Sequence, residues 1–285
     1  MSIENDLVNI SKDRAIDKES FKSLFGLTLE VEKEIIFSIQ NNKKKRLISL
    51  FQLLHPADQA DMLERLSANK LESCLQLLGK ELDSETLVYL DDEVQDDVIE
   101  TIGAKGLARA LPELDTDDAV EILEDLNENE RNVIIKKLPK TERILVEEAF
   151  TFPENSAGRL MQRDFLAFPE FWTVGQTIDH MRKNIYKEEK NFYSIFITDP
   201  KQRILGELSL AKLLSNYRSV RLKDIMQSEF QSVNVNIDQE EIALLFQQYG
   251  LVNLPVVDNE KRVLGVITVD DIVDVINEEA EEDFL

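Results

Sequence analysis

The sequence predicts a multidomain protein of α plus α/β class: an N-terminal all-helical superhelix followed by a tandem pair of β-α-β-β-α units. Three observations carry this reading. Over 46–150 the apolar residues recur at helical spacing, with few Gly or Pro inside the periodic segments and no strand-like alternation. Near Phe150 the texture changes, because Thr151-Phe152-Pro153-Glu154-Asn155-Ser156-Ala157-Gly158 concentrates turn formers and marks a boundary. Beyond it one pattern is written twice. Phe196-Ile197-Thr198-Asp199, a basic turn and Ile204-Leu205-Gly206 return as Pro255-Val256-Val257-Asp258, a basic turn and Val263-Leu264-Gly265. Each copy is a β-hairpin feeding a helix, and an internal repeat outranks any local motif.

The elements follow in order. Within 1–45, Leu24, Leu27, Leu29, Ile35, Ile36 and Ile39 predict an opening helix, and Lys43-Lys44-Lys45-Arg46 reads as its solvated end. Leu53-Leu54-His55-Pro56-Ala57-Asp58 starts a short helix with Pro in its first turn and acids near its positive end. Leu90-Asp91-Asp92-Glu93-Val94 opens a helix carrying Val98, Ile99 and Ile102, and Leu114-Asp115-Thr116-Asp117-Asp118-Ala119 opens one carrying Val120, Ile122, Leu123 and Leu126. Helices of about three turns are unstable alone, so they must stack. The predicted boundaries are a superhelix over 46–150, a linker over 151–157, the two units over 158–221 and 222–276, and the start of a further helix over 277–285.

In the first unit Trp172-Thr173-Val174-Gly175-Gln176-Thr177 starts a helix through Ile178, Met181 and Ile185; in the second Ile237-Asp238-Gln239-Glu240-Glu241 starts one with Ile242, Leu245 and Phe246. The copies align from Met161 and Met226, 65 residues apart, but by the hairpins the offset is 59. The first copy therefore carries about six extra residues, placed in a longer loop at Tyr186-Lys187-Glu188-Glu189-Lys190-Asn191.

Charge and composition narrow the function. With 56 acids against 33 bases the formal charge is −23, which excludes nucleic acid or an anionic lipid surface as the main partner and favours cations. The one cysteine, Cys74, sits in an apolar helical stretch with Leu71, Leu75 and Leu78, so it reads as a core residue. No run approaches about 18 apolar residues and the N-terminus has no secretory pattern, so the chain by itself reads as soluble and cytosolic. His55 precedes a helix-starting Pro, His180 sits beside Asp179 and Arg182, and no nucleophile, base pair or oxyanion motif stands out, so no enzyme is predicted. Trp172, with Phe165, Phe168 and Phe171 around it, reads as packing.

The carboxylates are patterned. From about Asp270 onward, Asp271, Asp274, Glu278 and Glu282 recur at steps of three or four and share one helix stripe. At about 4 Å and an effective dielectric near 20, each like-charge pair is worth up to ~4 kcal/mol of repulsion before screening. Asp117 and Glu121 form a similar i, i+4 pair, with Asp118 and Glu124 close by. A divalent cation relieves such repulsion. Magnesium suits it, being a hard ion that keeps several waters while touching one or two carboxylates, whereas His, Cys and HExxH patterns for zinc are missing.

The paired hairpin-helix units, with Leu254-Pro255-Val256-Val257-Asp258 and Leu264-Gly265-Val266-Ile267-Thr268-Val269-Asp270-Asp271, resemble a tandem pair of cystathionine β-synthase (CBS) domains. Phe152-Pro153-Glu154-Asn155-Ser156-Ala157-Gly158-Arg159-Leu160-Met161, preceded by an acidic helical domain with His55-Pro56-Ala57-Asp58, resembles the MgtE family of bacterial magnesium transporters and channels, over roughly 50–285. The family carries a transmembrane pore, so the resemblance implies the cytosolic half of a longer protein at the cytoplasmic face of the bacterial inner membrane, continuous with that pore. It implies that magnesium ions between the helical domain, the CBS pair and the connecting helix hold the pore closed. Asp117 and Glu121 would then face Asp271 and Asp274, Glu279, Glu282 and Asp283 would sit near the pore, and Asp238 and Glu240 would match further acidic ligands. Tyr249-Gly250 departs from the family's usual Tyr-Asp before the Leu-Pro-Val-Val-Asp strand and removes one of these ligands.

CBS pairs also bind adenosine nucleotides such as ATP through a hydroxyl-x-x-Asp motif. The resemblance implies a half-site of Pro255, Thr268 and Asp271 in the second copy, whereas the first reads Ser209-Leu210-Ala211-Lys212, with no acid to accept ribose hydrogen bonds. CBS pairs commonly form two-fold dimers, so a homodimer is expected. Two functions stand: a magnesium-sensing gate of a transporter, or an adenine-nucleotide-responsive regulatory or scaffold protein.

Overall fold

The computed structural model describes residues 27–184 and 192–282. These divide into two compact units, one of residues up to Leu114 with Glu124–Pro139, the other of Asp115–Leu123 with Lys140 onward.

In the first unit, helix α1 (Leu29–Gln40) buries Val31, Ile35 and Ile39 at i, i+4 and i+8, and Thr28 caps it by accepting from the Val31 N–H at 3.4 Å. Lys43, Lys44 and Lys45 are solvated as expected. Arg46 differs, because its helix α2 (Lys44–Phe51) turns it inward to pair with Glu34 at 2.5 Å, both side chains 13% exposed. Helix α3 (Pro56–Glu64) has Pro in its first turn, and His55 caps it by accepting from the Ala57 N–H. Helix α4 (Ala68–Leu78) buries Leu71, Cys74, Leu75 and Leu78, the predicted stripe. Helix α5 (Asp92–Ala110) is broken at Gly103, whose φ of 64° and ψ of 171° only glycine adopts without strain, so it acts as two short rods. Helix α7 (Glu128–Ile135) completes the unit. The buried Gln59 joins its pieces, donating to Phe51 O and Leu54 O and accepting from Thr86 Oγ1 at 2.9 Å.

The second unit holds helix α6 (Thr116–Glu124) up to Leu123, helix α8 (Lys140–Ala149), the short turn α9 (Ala157–Leu160) and the duplicated region. Copy one is β1 (Ala167–Pro169), α10 (Val174–Asn184), β2 (Ser194–Thr198), β3 (Ile204–Ser209) and α11 (Leu210–Leu214); copy two is β4 (Val233–Asn234), α12 (Gln239–Tyr249), β5 (Asn253–Val257), β6 (Val263–Thr268) and α13 (Val269–Glu282). Each forms a three-stranded sheet in which a short parallel strand joins an antiparallel hairpin, with a register shift at Ile197/Thr198 and again at Val256/Val257. The expected β-α-β-β-α order is present in both. Ile185 and the extra loop of copy one lie outside the described residues.

The hairpin tips explain the repeated Asp. Asp199 Oδ1 accepts from the Lys201 and Arg203 N–H groups while Oδ2 takes the Arg203 guanidinium at 2.7 Å; Asp258 does the same with Glu260 and Arg262. Both tips pass through a positive φ, at Gln202 and Lys261, and the two join through Ile204 N–H to Lys261 O at 3.0 Å and Val263 N–H to Gln202 O at 3.3 Å.

The copies are interlocked. The segment before copy one completes the core of copy two: Ala157 and Met161 are buried with Val233, Ile242, Leu254 and Ile267, and Gln162 exchanges two backbone hydrogen bonds with Val266 at 2.8 and 3.0 Å. The segment before copy two returns the exchange, placing Leu222, Ile225 and Met226 against the core of Phe168, Val174, Ile195 and Leu208, with Gln227 paired to Glu207. Gly265 and Gly206 make room for these crossings. A Cβ on Gly265 would lie 2.5 Å from Gln162 O and 2.9 Å from Met161 Sδ; on Gly206 it would lie 2.8 Å from Gln227 O.

Candidate functional site: a buried acid pair beside the CBS cleft

Asp117 sits in the first turn of α6, where the local sequence favours an acid at the positive helix end. It is nevertheless only 8% exposed, and its Oδ1 is buried with no hydrogen-bond partner among the described residues. An ionised carboxylate left so pays for its desolvation. Burial pushes the Asp117 carboxyl well above the usual carboxylate range, and the charges of Asp271, Asp118 and Asp115 push it further, against the pull of its own backbone N–H. Asp271, at the start of α13, is half-buried. Burial pushes it up to about 6; two hydrogen bonds from Thr268 oppose the rise, and Asp270 and Asp115 add to it. The residues of this cluster belong to one compact unit, and it holds too much negative charge for its solvation.

The Asp271 carboxylate is held from behind. Thr268 donates to Oδ2 twice, from its backbone N–H at 3.1 Å and from its hydroxyl at 2.7 Å. Thr268 also lines a shallow open cleft, with Gln162, Asp164, Phe165, Tyr193, Ser194 and Asn253 among its walls. Ser194 and Asn253, equivalent positions 59 residues apart, meet across the cleft floor in a 2.6 Å hydrogen bond.

Of the acids named from the sequence, Asp117 and Asp271 are linked electrostatically within the second unit. Glu121 lies on the exposed side of α6. Asp238 caps α12 by accepting from the Glu240 N–H at 3.0 Å, and both side chains are exposed. Asp274, Glu278, Glu279 and Glu282 lie on α13, but their side chains, like all of Asp283, are outside the described residues. Among the described residues no group of three or more His, Cys, Asp or Glu gathers closely enough to hold a metal by itself. Pro255 is buried in β5 opposite Val266, which lines the cleft together with Thr268, but Pro255 is not itself among the lining residues. His180 stands edge-on to Phe168 and Trp172, so these aromatics pack. Sequence reasoning passed over Asp115, Asp270 and the cleft residues Gln162, Asp164 and Asn253; the 65- and 59-residue offsets are the signal that points to the last three.

The chemistry fits a hard divalent cation. Two carboxylates, one with an orphaned buried oxygen, supply the one or two oxygen ligands that magnesium takes while keeping waters. Among the described residues no helix is long and apolar enough to cross a membrane.

Comparison with known proteins agrees with this layout. The model of the MgtE intracellular N domain matches residues 54–155, a stretch that includes α6, and the CBS domain model matches 222–278. The magnesium transporter MgtE of Thermus thermophilus is 32% identical over 250 residues and that of Bacillus subtilis 27%, covering 86% and 88% of this chain. The chain spans about half of each, 55%. Two solved structures superpose with a TM-score of 0.77: the soluble part of a magnesium transporter, at 26% identity and covering 88% of this chain and 98% of that one, and the cytosolic domain of the Mg2+ channel MgtE in complex with ATP, at 29%, covering 86% and 99%. With an MgtE N domain ahead of a CBS pair, this chain is homologous to the MgtE magnesium transporters and has the fold of their soluble cytosolic region.

Proposed function

We propose that this chain is the magnesium-sensing cytosolic region of a magnesium transporter or channel, at the cytoplasmic face of the membrane, and acts as a gate rather than an enzyme. The observation that carries the reading is the acid pair: Asp117 buried with an unpartnered oxygen, its charge set against Asp271. Without a cation, the two carboxylates press α6 away from the start of α13. With magnesium shared between them the repulsion is cancelled and α6 stays seated, the state that corresponds to a closed pore. A site of two carboxylates is weak, which matches a sensor of millimolar ion.

The test is a magnesium titration of the whole chain, following the radius of gyration by small-angle scattering and protease cleavage near Phe152. Millimolar magnesium should compact the chain and protect the linker, and Asp117→Asn should respond far less. An unchanged shape and cleavage pattern would refute the reading.

The cleft supports a second ligand. Its aromatic and amide walls suit an adenine nucleotide, and a relative of 29% identity has been solved with ATP. Saturable ATP binding by calorimetry, without compaction, would favour a nucleotide-responsive regulator over a magnesium gate. The CBS helices leave Leu214 and Val273, equivalent positions, 68% and 50% exposed, which supports two-fold self-association through them.

A further inference from the structure

We propose that Thr268 is a positioning residue for the acid pair, its hydroxyl and amide holding one Asp271 oxygen so that the other is presented to a divalent cation shared with Asp117. This rests on the magnesium reading above. Both hydrogen bonds from Thr268 converge on Asp271 Oδ2, and Oδ1 takes no hydrogen bond from the described residues. The carboxylate is therefore not free to spin. Thr268 is itself buried at 9% exposure, and β6 fixes its backbone through pairing with Asn253.

The first copy supplies an internal control. There the equivalent hydroxyl, Ser209, accepts a hydrogen bond from the Lys212 N–H at 3.2 Å and caps its helix in the ordinary way. In the second copy the polarity is reversed, with the hydroxyl donating to the acid. The backbone N–H of Thr268 already reaches the same Oδ2, as in the acid's half of a capping box. Capping alone needs that one bond. The added hydroxyl bond fixes the plane of the carboxylate, as outer partners of metal ligands do.

Magnesium is titrated into the full 285-residue chain by calorimetry, with Asp271→Asn defining the heat that belongs to the pair. The Asp271 carboxyl carbon resonance is followed through the same titration. Thr268→Val, which keeps shape but removes the hydroxyl, should weaken magnesium at the pair about tenfold or more. Thr268→Ser, which keeps the hydroxyl, should remain within about twofold of the native chain. The carboxyl resonance should move on Thr268→Val before any magnesium is added. Native affinity in Thr268→Val, alongside loss in Asp271→Asn, overturns the positioning role while leaving the pair in place. So does equal weakening by serine and valine. Unchanged heat in Asp271→Asn overturns the magnesium reading and this inference with it. Thr268→Ala replaces valine if the latter does not fold, and native affinity there has the same refuting force.

Discussion

Replacing Asp271 by Asn should stabilise the second unit without magnesium and lose most of that advantage, relative to the native chain, with magnesium. The carboxyl is pushed from 3.8 to about 6, so keeping it ionised at neutral pH opposes folding by about 3 kcal/mol. Asparagine removes that charge. Its amide oxygen can still accept from the Thr268 amide and hydroxyl, and the charge-assisted part of those two bonds is already contained in the shift, which they lower. The gain in chelator is therefore up to about 3 kcal/mol, or a rise of roughly 6–12 °C in the transition of a unit this size. Magnesium at about a hundredfold its dissociation constant adds ~2.7 kcal/mol to the native chain only. The gap between the two proteins should then all but close. Trp172 is the single tryptophan and lies in the second unit, so its fluorescence during thermal unfolding reports the right transition. A variant less stable than the native chain in chelator would show that Asp271 carries no repulsion, and equal magnesium responses would place the ion elsewhere.

Acid should act on the magnesium-free chain in the same direction as magnesium. Asp271 and Asp117 are both raised in the folded state, so their contribution is fully present below 3.8 and is lost as pH rises through their folded values, which for Asp271 is about 6; the Trp172 transition should climb as pH falls from there, and a transition that drops steadily from neutral pH refutes the sign. Below about 3.8 the hairpin acids Asp199 and Asp258, which desolvation raises but the combined hydrogen bonds and charges of their tips, above all from Arg203 and Arg262, hold low in the folded state, reverse the trend as they take up protons. Gly265→Ala should cost the second unit about 1–3 kcal/mol because the new methyl meets the Gln162 carbonyl at 2.5 Å, and more than Gly206→Ala, whose methyl has 2.8 Å; equal, negligible losses in denaturant titration would refute the interlock. Cys74 is buried and its thiol pushed up to about 12, so a thiol reagent should label it only when the first unit opens, while Trp172 follows the second; labelling at the rate of a free thiol would contradict the burial.

What the sequence made legible was whatever repeats or keeps a period. The stripes of Val31, Ile35 and Ile39 or of Leu71, Cys74, Leu75 and Leu78 follow from local spacing, and the Asp at each hairpin tip from its turn chemistry. The first strand of each copy is three and two residues long, too short for alternation to show, and is defined only by its parallel partner. The break at Gly103 was hidden because a lone Gly inside a helical pattern is ordinarily tolerated. The interlock is a tertiary fact: nothing local to Met161 says that it seats on Gly265 of the other copy. Among the acids, i, i+4 spacing paired Asp117 with Glu121, but tertiary packing buried the first and left the second exposed.

That separation bears on how one unit can register an ion. The interlock ties 157–162 into copy two, and Gln162, which closes the exchange with Val266, also borders the cleft and directs its amide toward the Thr268 hydroxyl at 3.5 Å. Thr268 in turn holds Asp271, and Asp271 sets the charge that Asp117 feels. The linker, the cleft and the acid pair thus share one β-strand end, the close of β6. The charge that Asp117 on α6 feels therefore comes from the residue that Thr268 holds at the start of α13. The duplicated hairpin is symmetric only in its scaffold. Copy one, with Lys212 in place of the acid, caps its helix and stops there, while copy two has turned the same cap into a carboxylate that answers to its surroundings.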